Sequence, residues 1–507
     1  MSALWKALAS ALSQPACRLS DSHASIRGAD LLAAIERIAD RLLGLGVRRA
    51  ASRLDNGLAW LNFEFALQSL GCLHVPLPTY FSPEQVGHAL DLVGVDALLL
   101  PAGVAPAGAA WRPLSDWPLA ATGLWLREPR STPLPSGARL VTFTSGTTAQ
   151  PKGVCLEDEL LLRVALSLGE ASAAARVERH VSVLPLATLL EQVGVMAALL
   201  AGASVHLPSL SQLGYSGASG LDAKRFLHTI AVARGHSLIL VPQLLEGLIC
   251  ELEAGFELAQ PLRFVAVGGA QVAADLHQRA ETLGLPVFEG YGLSECGSVV
   301  ALNRPGSNRP GSVGLPLPHL RLRIDPNGEL QVAGARMLGY VGSTSGDDDA
   351  LDSEWLSTGD LVRFDDDGYL YIAGRRKHQF ITAYGRNVNP EWPEAALTAQ
   401  PSIAQAFVHG EARPFNVAVL VPRGSDRSDA ELQAALDQVN ASLPDYARIS
   451  RWLRAEQPFA IANGLATANG RLRREAILAR HQDAIELLYA ASPNPYRSAG
   501  REMGLAV

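Results

Sequence analysis

Residues Thr142 to Gly153 read TFTSGTTAQPKG, a run of hydroxyl-bearing and small side chains that closes on Pro151 and Lys152. Small residues let backbone N–H groups converge on an anion, hydroxyls add donors, and a lysine supplies a mobile positive charge. Such a stretch suits the cradling of phosphate. In isolation the same cluster serves equally as a solvated Ser/Thr turn, and it lacks the Gly-Lys-Ser/Thr ending of the strict nucleotide loop. Three other stretches bear on the choice. AVGGAQV (Ala266 to Val272) is a strand ending in glycines, where backbone can approach a flat ligand. FEGYGLSECG (Phe288 to Gly297) sets an aromatic ring, a hydroxyl and a carboxylate close together. In WLSTGDLVRFDDDGYLYIAGRRK (Trp355 to Lys377), Asp360 and Arg375 face each other across a predicted hairpin.

The elements that must position these residues follow from periodicity. Between residues 30 and 300, helical patterns such as LLAAIERIADRLLGLGV alternate with short apolar runs such as SLILVP and RFVAVGG. This predicts strands wound with helices, an α/β core with largely parallel sheets. After about residue 310, LRLRIDPNGELQVAG and LVRFDDDGYLYIAG read as short strands with Gly/Asp turns, an antiparallel, barrel-like unit. A compact α+β segment follows, ending in the helix RREAILARHQDAIELLY. The expected organisation is a large N-terminal domain, residues 1–376, of wound α/β subdomains plus the small β unit, and a small C-terminal domain, residues 377–507.

The chain has 507 residues, which suits roughly two to four structural units. A net charge of −7 without a basic run excludes a nucleic-acid partner. Five cysteines, Cys17, Cys72, Cys155, Cys250 and Cys296, lack metal-ligand spacing, so reduced thiols in a cytoplasm are expected. No apolar run reaches the length of a spanning helix. The N-terminal MSALWKALASALSQPAC reads as a surface helix, and membrane contact through it is expected to be peripheral at most.

Taken together, TSGTTAQPKG, YGLSE, STGD and GRRK resemble the adenylate-forming superfamily, which includes acyl-CoA synthetases, luciferases and the adenylation domains of peptide synthetases. The likeness runs from about residue 25 to 490 and is greatest to fatty acyl-CoA synthetases. It implies that Thr144, Ser145, Gly146, Thr147, Thr148 and Lys152 hold the β and γ phosphates of ATP. It places Tyr291 and Gly292 against adenine, with Gly268, Gly269 and Ala270 as the floor, and Ser294, where threonine is usual, near the α-phosphate or acyl carboxylate. It implies that Glu295 holds Mg²⁺, Asp360 accepts the ribose hydroxyls and Arg375 supports ribose or phosphate. A carboxylate would attack the α-phosphorus of ATP, giving an acyl adenylate and pyrophosphate, and a thiol would then displace AMP. In the family the C-terminal domain is mobile and swings about a hinge residue, whose place Lys377 takes.

The sequence departs from the family where NGLATANGRLRRE carries Arg471 in place of a catalytic lysine. Arginine keeps the charge but is wider and planar. Three readings stand: Arg471 is the electrostatic clamp, a neighbour such as Lys377 or Arg473 compensates, or the first half-reaction is impaired. Ala149 replaces a usual glycine, and Thr188 stands where a histidine or aromatic is common. The candidate acyl pocket, with Leu186, Thr188, Val241 and Gly292, is apolar and lacks the aspartate that grips amino acids. A medium- or long-chain fatty acid is the expected substrate, with an aryl acid open. The acceptor is CoA or the phosphopantetheine of a free-standing acyl carrier protein. The competing expectations are a biosynthetic ligase that loads a carrier or closes a β-lactone, and a non-catalytic nucleotide- and acyl-binding protein.

Overall fold

The computed structural model describes residues 1–108, 110–130, 132–144, 152–216, 220–270, 272, 274–342, 354–382, 387–467 and 470–490. The chain divides into two compact units, Met1–Ile372 and Ala373–Val507.

The first unit is built on two large mixed sheets. In one, Leu140–Thr144, Leu73–Pro76, Arg49–Ser52 and Ala97–Pro101 run parallel, flanked by antiparallel edges that include Lys152–Leu156 and Gly339–Tyr340. In the other, the parallel succession is Val287–Tyr291, Phe264–Val267, Ser237–Leu240, Arg179–Val181, Ser204–Leu207 and Arg18–Asp21. The central strands of a parallel sheet are covered on both faces and carry unbroken apolar runs. Ser237–Leu240 and Leu73–Pro76 are accordingly buried along their whole length. Helix Gly28–Gly44 shows the complementary pattern, burying Leu31, Ile35, Ile38 and Leu42 on one face. The wound α/β core therefore stands as expected.

One expectation changes. Helix Ala3–Leu12 turns its apolar face, Leu4, Trp5, Leu8 and Leu12, into the core against the helices Asp158–Ser172 and Leu189–Leu200. The face that suggested peripheral membrane contact is thus already covered by protein. Among the described residues, no helix is long and apolar enough to cross a membrane. The unit after residue 310 is a four-stranded sheet of Arg321–Ile324, Glu329–Ala333, Leu356–Phe364 and Leu370–Arg375, with antiparallel pairing and a bulge between Glu329 and Gln331.

The second unit has a three-stranded sheet of Ile403–His409, Asn416–Pro422 and Ile449–Arg454, packed with helices Glu391–Thr398, Asp429–Ser442 and Arg474–Ala490. Ser428 and Glu431 form a reciprocal capping box that starts the middle helix.

Candidate active site

The floor of the site forms where Phe264–Val267 ends. The Gly268 amide donates to Leu240 O (3.0 Å) and prolongs the sheet, and Gly269 then turns at φ +87°. A Cβ on Gly268 would reach Gly290 O at 3.5 Å and Leu190 Cδ2 at 3.9 Å, and one on Gly269 would reach Val241 Cγ1 at 3.5 Å. Glycine thus brings bare backbone beside two apolar side chains, and Val241 meets the expected floor. Ala270 follows, half-buried. Behind the floor, buried Glu289 accepts from the Val272 amide (Oε1, 3.1 Å) and pairs with His277 Nε2 (Oε2, 2.9 Å). Glu289 thus ties the segment after the floor to the strand Val287–Tyr291.

Tyr291 ends the neighbouring strand, and its hydroxyl donates to Asp360 Oδ2. Asp360 is 3% exposed, on strand Leu356–Phe364. The strand just before it is fixed by bonds from the Gly359 amide to Glu329 Oε1 (2.8 Å) and from the Thr358 hydroxyl to Leu330 O (2.9 Å). A carboxylate has about four acceptor sites, so the tyrosine leaves capacity for ribose hydroxyls. A Cβ on Gly292 would overlap the Ser298 carbonyl oxygen, so the chain after Tyr291 folds back only with glycine there. Ser294, Glu295 and Cys296 then form one 3-10 turn.

Glu295 and Lys152 meet at Tyr340, a residue the sequence reading missed. The Tyr340 hydroxyl donates to Glu295 Oε1 (2.9 Å), and the Lys152 ammonium lies 5.3 Å from the centre of its ring. Strand pairing explains the meeting: Gly339–Tyr340 runs antiparallel to Lys152–Leu156, with Tyr340 opposite Val154. Thr144 pairs with Lys152 across the same sheet, so the two ends of the Ser/Thr/Gly stretch are held side by side. Ser145, Gly146, Thr147, Thr148 and Ala149 lie outside the described residues, as does the side chain of Thr144. Burial pushes the nearby Cys155 thiol up to about 12, which removes it as a nucleophile.

The donor set suits Mg²⁺. Among the described residues there is no group of three or more His, Cys, Asp or Glu side chains able to hold a metal. Mg²⁺ is commonly bound through one or two carboxylates together with phosphate oxygens. Glu295, half-buried and with Oε1 already oriented by Tyr340, can supply that carboxylate.

Of the expected acyl-pocket residues, Leu186 is 1% exposed and belongs to the main core, its amide bonded to Asn56 Oδ1 (2.8 Å). Thr188 precedes helix Leu189–Leu200, and its hydroxyl donates to Pro185 O (2.7 Å), so its polarity is satisfied locally.

In the second unit, Glu391 straddles Lys377. Its Oε2 accepts from the Arg375 amide (2.5 Å) and its Oε1 pairs with His378 Nδ1 (2.7 Å). Burial raises the Glu391 carboxyl, but the His378 contact and the bond from Arg375 outweigh it and hold it below the usual carboxylate range. Lys377 itself is exposed. Arg471 is also exposed, on a tight turn in which its carbonyl accepts from the Thr467 amide (2.8 Å) and its amide donates to Thr467 Oγ1 (3.1 Å). Three residues on, Arg474 grips buried Glu394 in a bidentate pair (2.8 and 2.7 Å) and donates to Val408 O (2.8 Å).

The first unit thus brings together a glycine floor, a tyrosine–aspartate pair, and a lysine and a glutamate that both contact Tyr340. Residues 6–341 match the AMP-binding enzyme family and residues 377–493 the AMP-binding enzyme C-terminal domain, so the chain belongs to the AMP-binding enzymes. Long-chain-fatty-acid–CoA ligase FadD15 of Mycobacterium bovis is 32% identical over 251 residues, 45% of this chain and 42% of that protein. Long-chain-fatty-acid–CoA ligase 1 of Cavia porcellus is 26% identical over 447 residues, 72% of this chain and 62% of that protein. The chain thus covers less than two thirds of either relative. The solved structure of o-succinylbenzoate CoA synthetase from Bacillus subtilis, in complex with its acyl-adenylate intermediate, shares the fold with a TM-score of 0.74 at 22% identity, covering 93% of this chain and 97% of that one.

Proposed function

We propose that the chain is an AMP-forming acid–thiol ligase. A carboxylate oxygen of the substrate attacks the α-phosphorus of ATP, the bond to the pyrophosphate leaving group breaks, and an acyl adenylate remains. The sulfur of a thiol then attacks the acyl carbon, loses its proton, and expels AMP. The observation that carries this reading is the Tyr291–Asp360 contact beside the glycine floor, which unites a ring for adenine with a buried acceptor for ribose. Lys152 is assigned to the β and γ phosphates with Thr144 to Thr148, and Ser294 to the α-phosphate or acyl carboxylate. When bound through Glu295, Mg²⁺ neutralises phosphate charge. Arg375 supports ribose or phosphate, Lys377 is the hinge residue, and Arg471 supplies the positive charge of adenylation in place of lysine.

The acid is proposed to be a medium- or long-chain fatty acid. Leu190 and Val241 border the glycine floor with alkyl side chains, and two relatives are named for long-chain fatty acids. Those names also favour CoA as the acceptor over a carrier protein. The test is pyrophosphate release from Mg-ATP with a panel of fatty and aryl acids, with and without CoA. Release requiring a fatty acid, with an acyl-CoA product identified by mass, is the expected result. A preference for aryl acids would overturn the substrate assignment, and adenylate formation without use of CoA would overturn the acceptor.

A further inference from the structure

We infer that Tyr340 is a positioning residue that prepares Glu295 for a divalent cation and Lys152 for phosphate; this rests on the roles proposed above for those two residues. Lys152 and Glu295 come from distant segments, and one side chain touches both. The Tyr340 hydroxyl donates to Glu295 Oε1 at 2.9 Å, while its ring face lies 5.3 Å from the Lys152 ammonium. Carboxylates that bind metals are oriented by hydrogen bonds from a further layer of residues, and loss of such a partner weakens metal binding. An ammonium over an aromatic ring is held electrostatically by the ring face.

The backbone fixes this arrangement. The Met337 amide donates to Glu295 O (2.6 Å), the Leu338 amide to Cys155 O (2.8 Å) and the Val341 amide to Gly153 O (2.8 Å). One short strand is therefore laced to the Lys152 strand on one side and to the Glu295 turn on the other. Tyr340 is the side chain of that strand that reaches both charges. Its two contacts are separable: Tyr340→Phe keeps the ring under Lys152 and removes the donor to Glu295, and Tyr340→Leu removes both.

The test is calorimetric titration of the full chain with ATP, in Mg²⁺ and in EDTA, for wild type and both variants. The ratio of the two affinities measures what the cation adds. In Tyr340→Phe that ratio is expected to shrink about tenfold, with metal-free ATP affinity unchanged. In Tyr340→Leu the metal-free affinity is also expected to fall about threefold. Variants that melt at the wild-type temperature and keep the wild-type ratio would overturn the inference; should Tyr340→Leu not fold, Tyr340→Phe decides alone. The proposed reaction fails separately, if the wild type binds Mg-ATP with these properties and catalyses no acid-dependent pyrophosphate exchange.

Discussion

The nucleotide residues of the first unit and the Arg471 turn of the second are built in opposite ways. Tyr291, Asp360, Glu295 and Lys152 sit on or beside sheet strands, and side chains fix one another: Tyr291 to Asp360, Tyr340 to Glu295 and Lys152. Arg471 is exposed on a turn closed by backbone and Thr467 contacts, and the strong anchor belongs to its neighbour Arg474, paired with Glu394. The contrast teaches that grip and charge are separately supported. On the proposed assignment, the groups that would hold ATP are preorganised by strands and by one another, whereas Arg471, proposed to stand for lysine, lies on an exposed turn of the second unit.

The largest effect should come from the preorganised side. Asp360→Ala removes the acceptor proposed for the ribose hydroxyls and should weaken ATP binding by about a hundredfold or more, measured by calorimetry; unchanged affinity would break the comparison at its firmer end. Arg471→Ala should slow acid-dependent pyrophosphate exchange about a hundredfold while ATP affinity holds within about threefold. Arg471→Lys should retain exchange. A parallel loss of ATP affinity in Arg471→Ala would mean that grip and charge are not separable.

Glu394→Ala leaves the half-buried Arg474 without its carboxylate partner and should destabilise the second unit by about 2 kcal/mol. Denaturant unfolding followed by fluorescence of Trp452, isolated in a background lacking the other tryptophans, would read this. The smallest effect concerns the scaffold of the first unit. Burial lowers His319 from 6.5 to about 4, with the Arg163 charge adding to the shift. The unfolded chain therefore takes up the proton first, so stability is full above about 6.5 and is lost as pH falls towards about 4. His319→Gln should show a smaller drop in melting temperature over that range by scanning calorimetry.

Much of the sheet architecture was legible because parallel strands announce themselves as apolar runs; SLIL and RFVAV lie where the alternation puts strands. Asp360 was legible as a candidate through the STGD motif, and its burial came from the structure. Tyr340 was not, since GARMLGYVGS contains no cluster of reactive groups and its partner Glu295 is 45 residues away. Only the pairing of Gly339–Tyr340 with Lys152–Leu156 brings it in. The helix Ala3–Leu12 illustrates a different limit: periodicity reveals that one face is apolar, not whether protein or lipid covers it.

The central claim, that this chain forms an acyl adenylate with arginine at the lysine position, is tested most directly by ATP–pyrophosphate exchange without CoA. With Mg-ATP and a fatty acid, the account predicts exchange that disappears when the acid is omitted. Tight binding of Mg-ATP with no exchange for any fatty or aryl acid would contradict it.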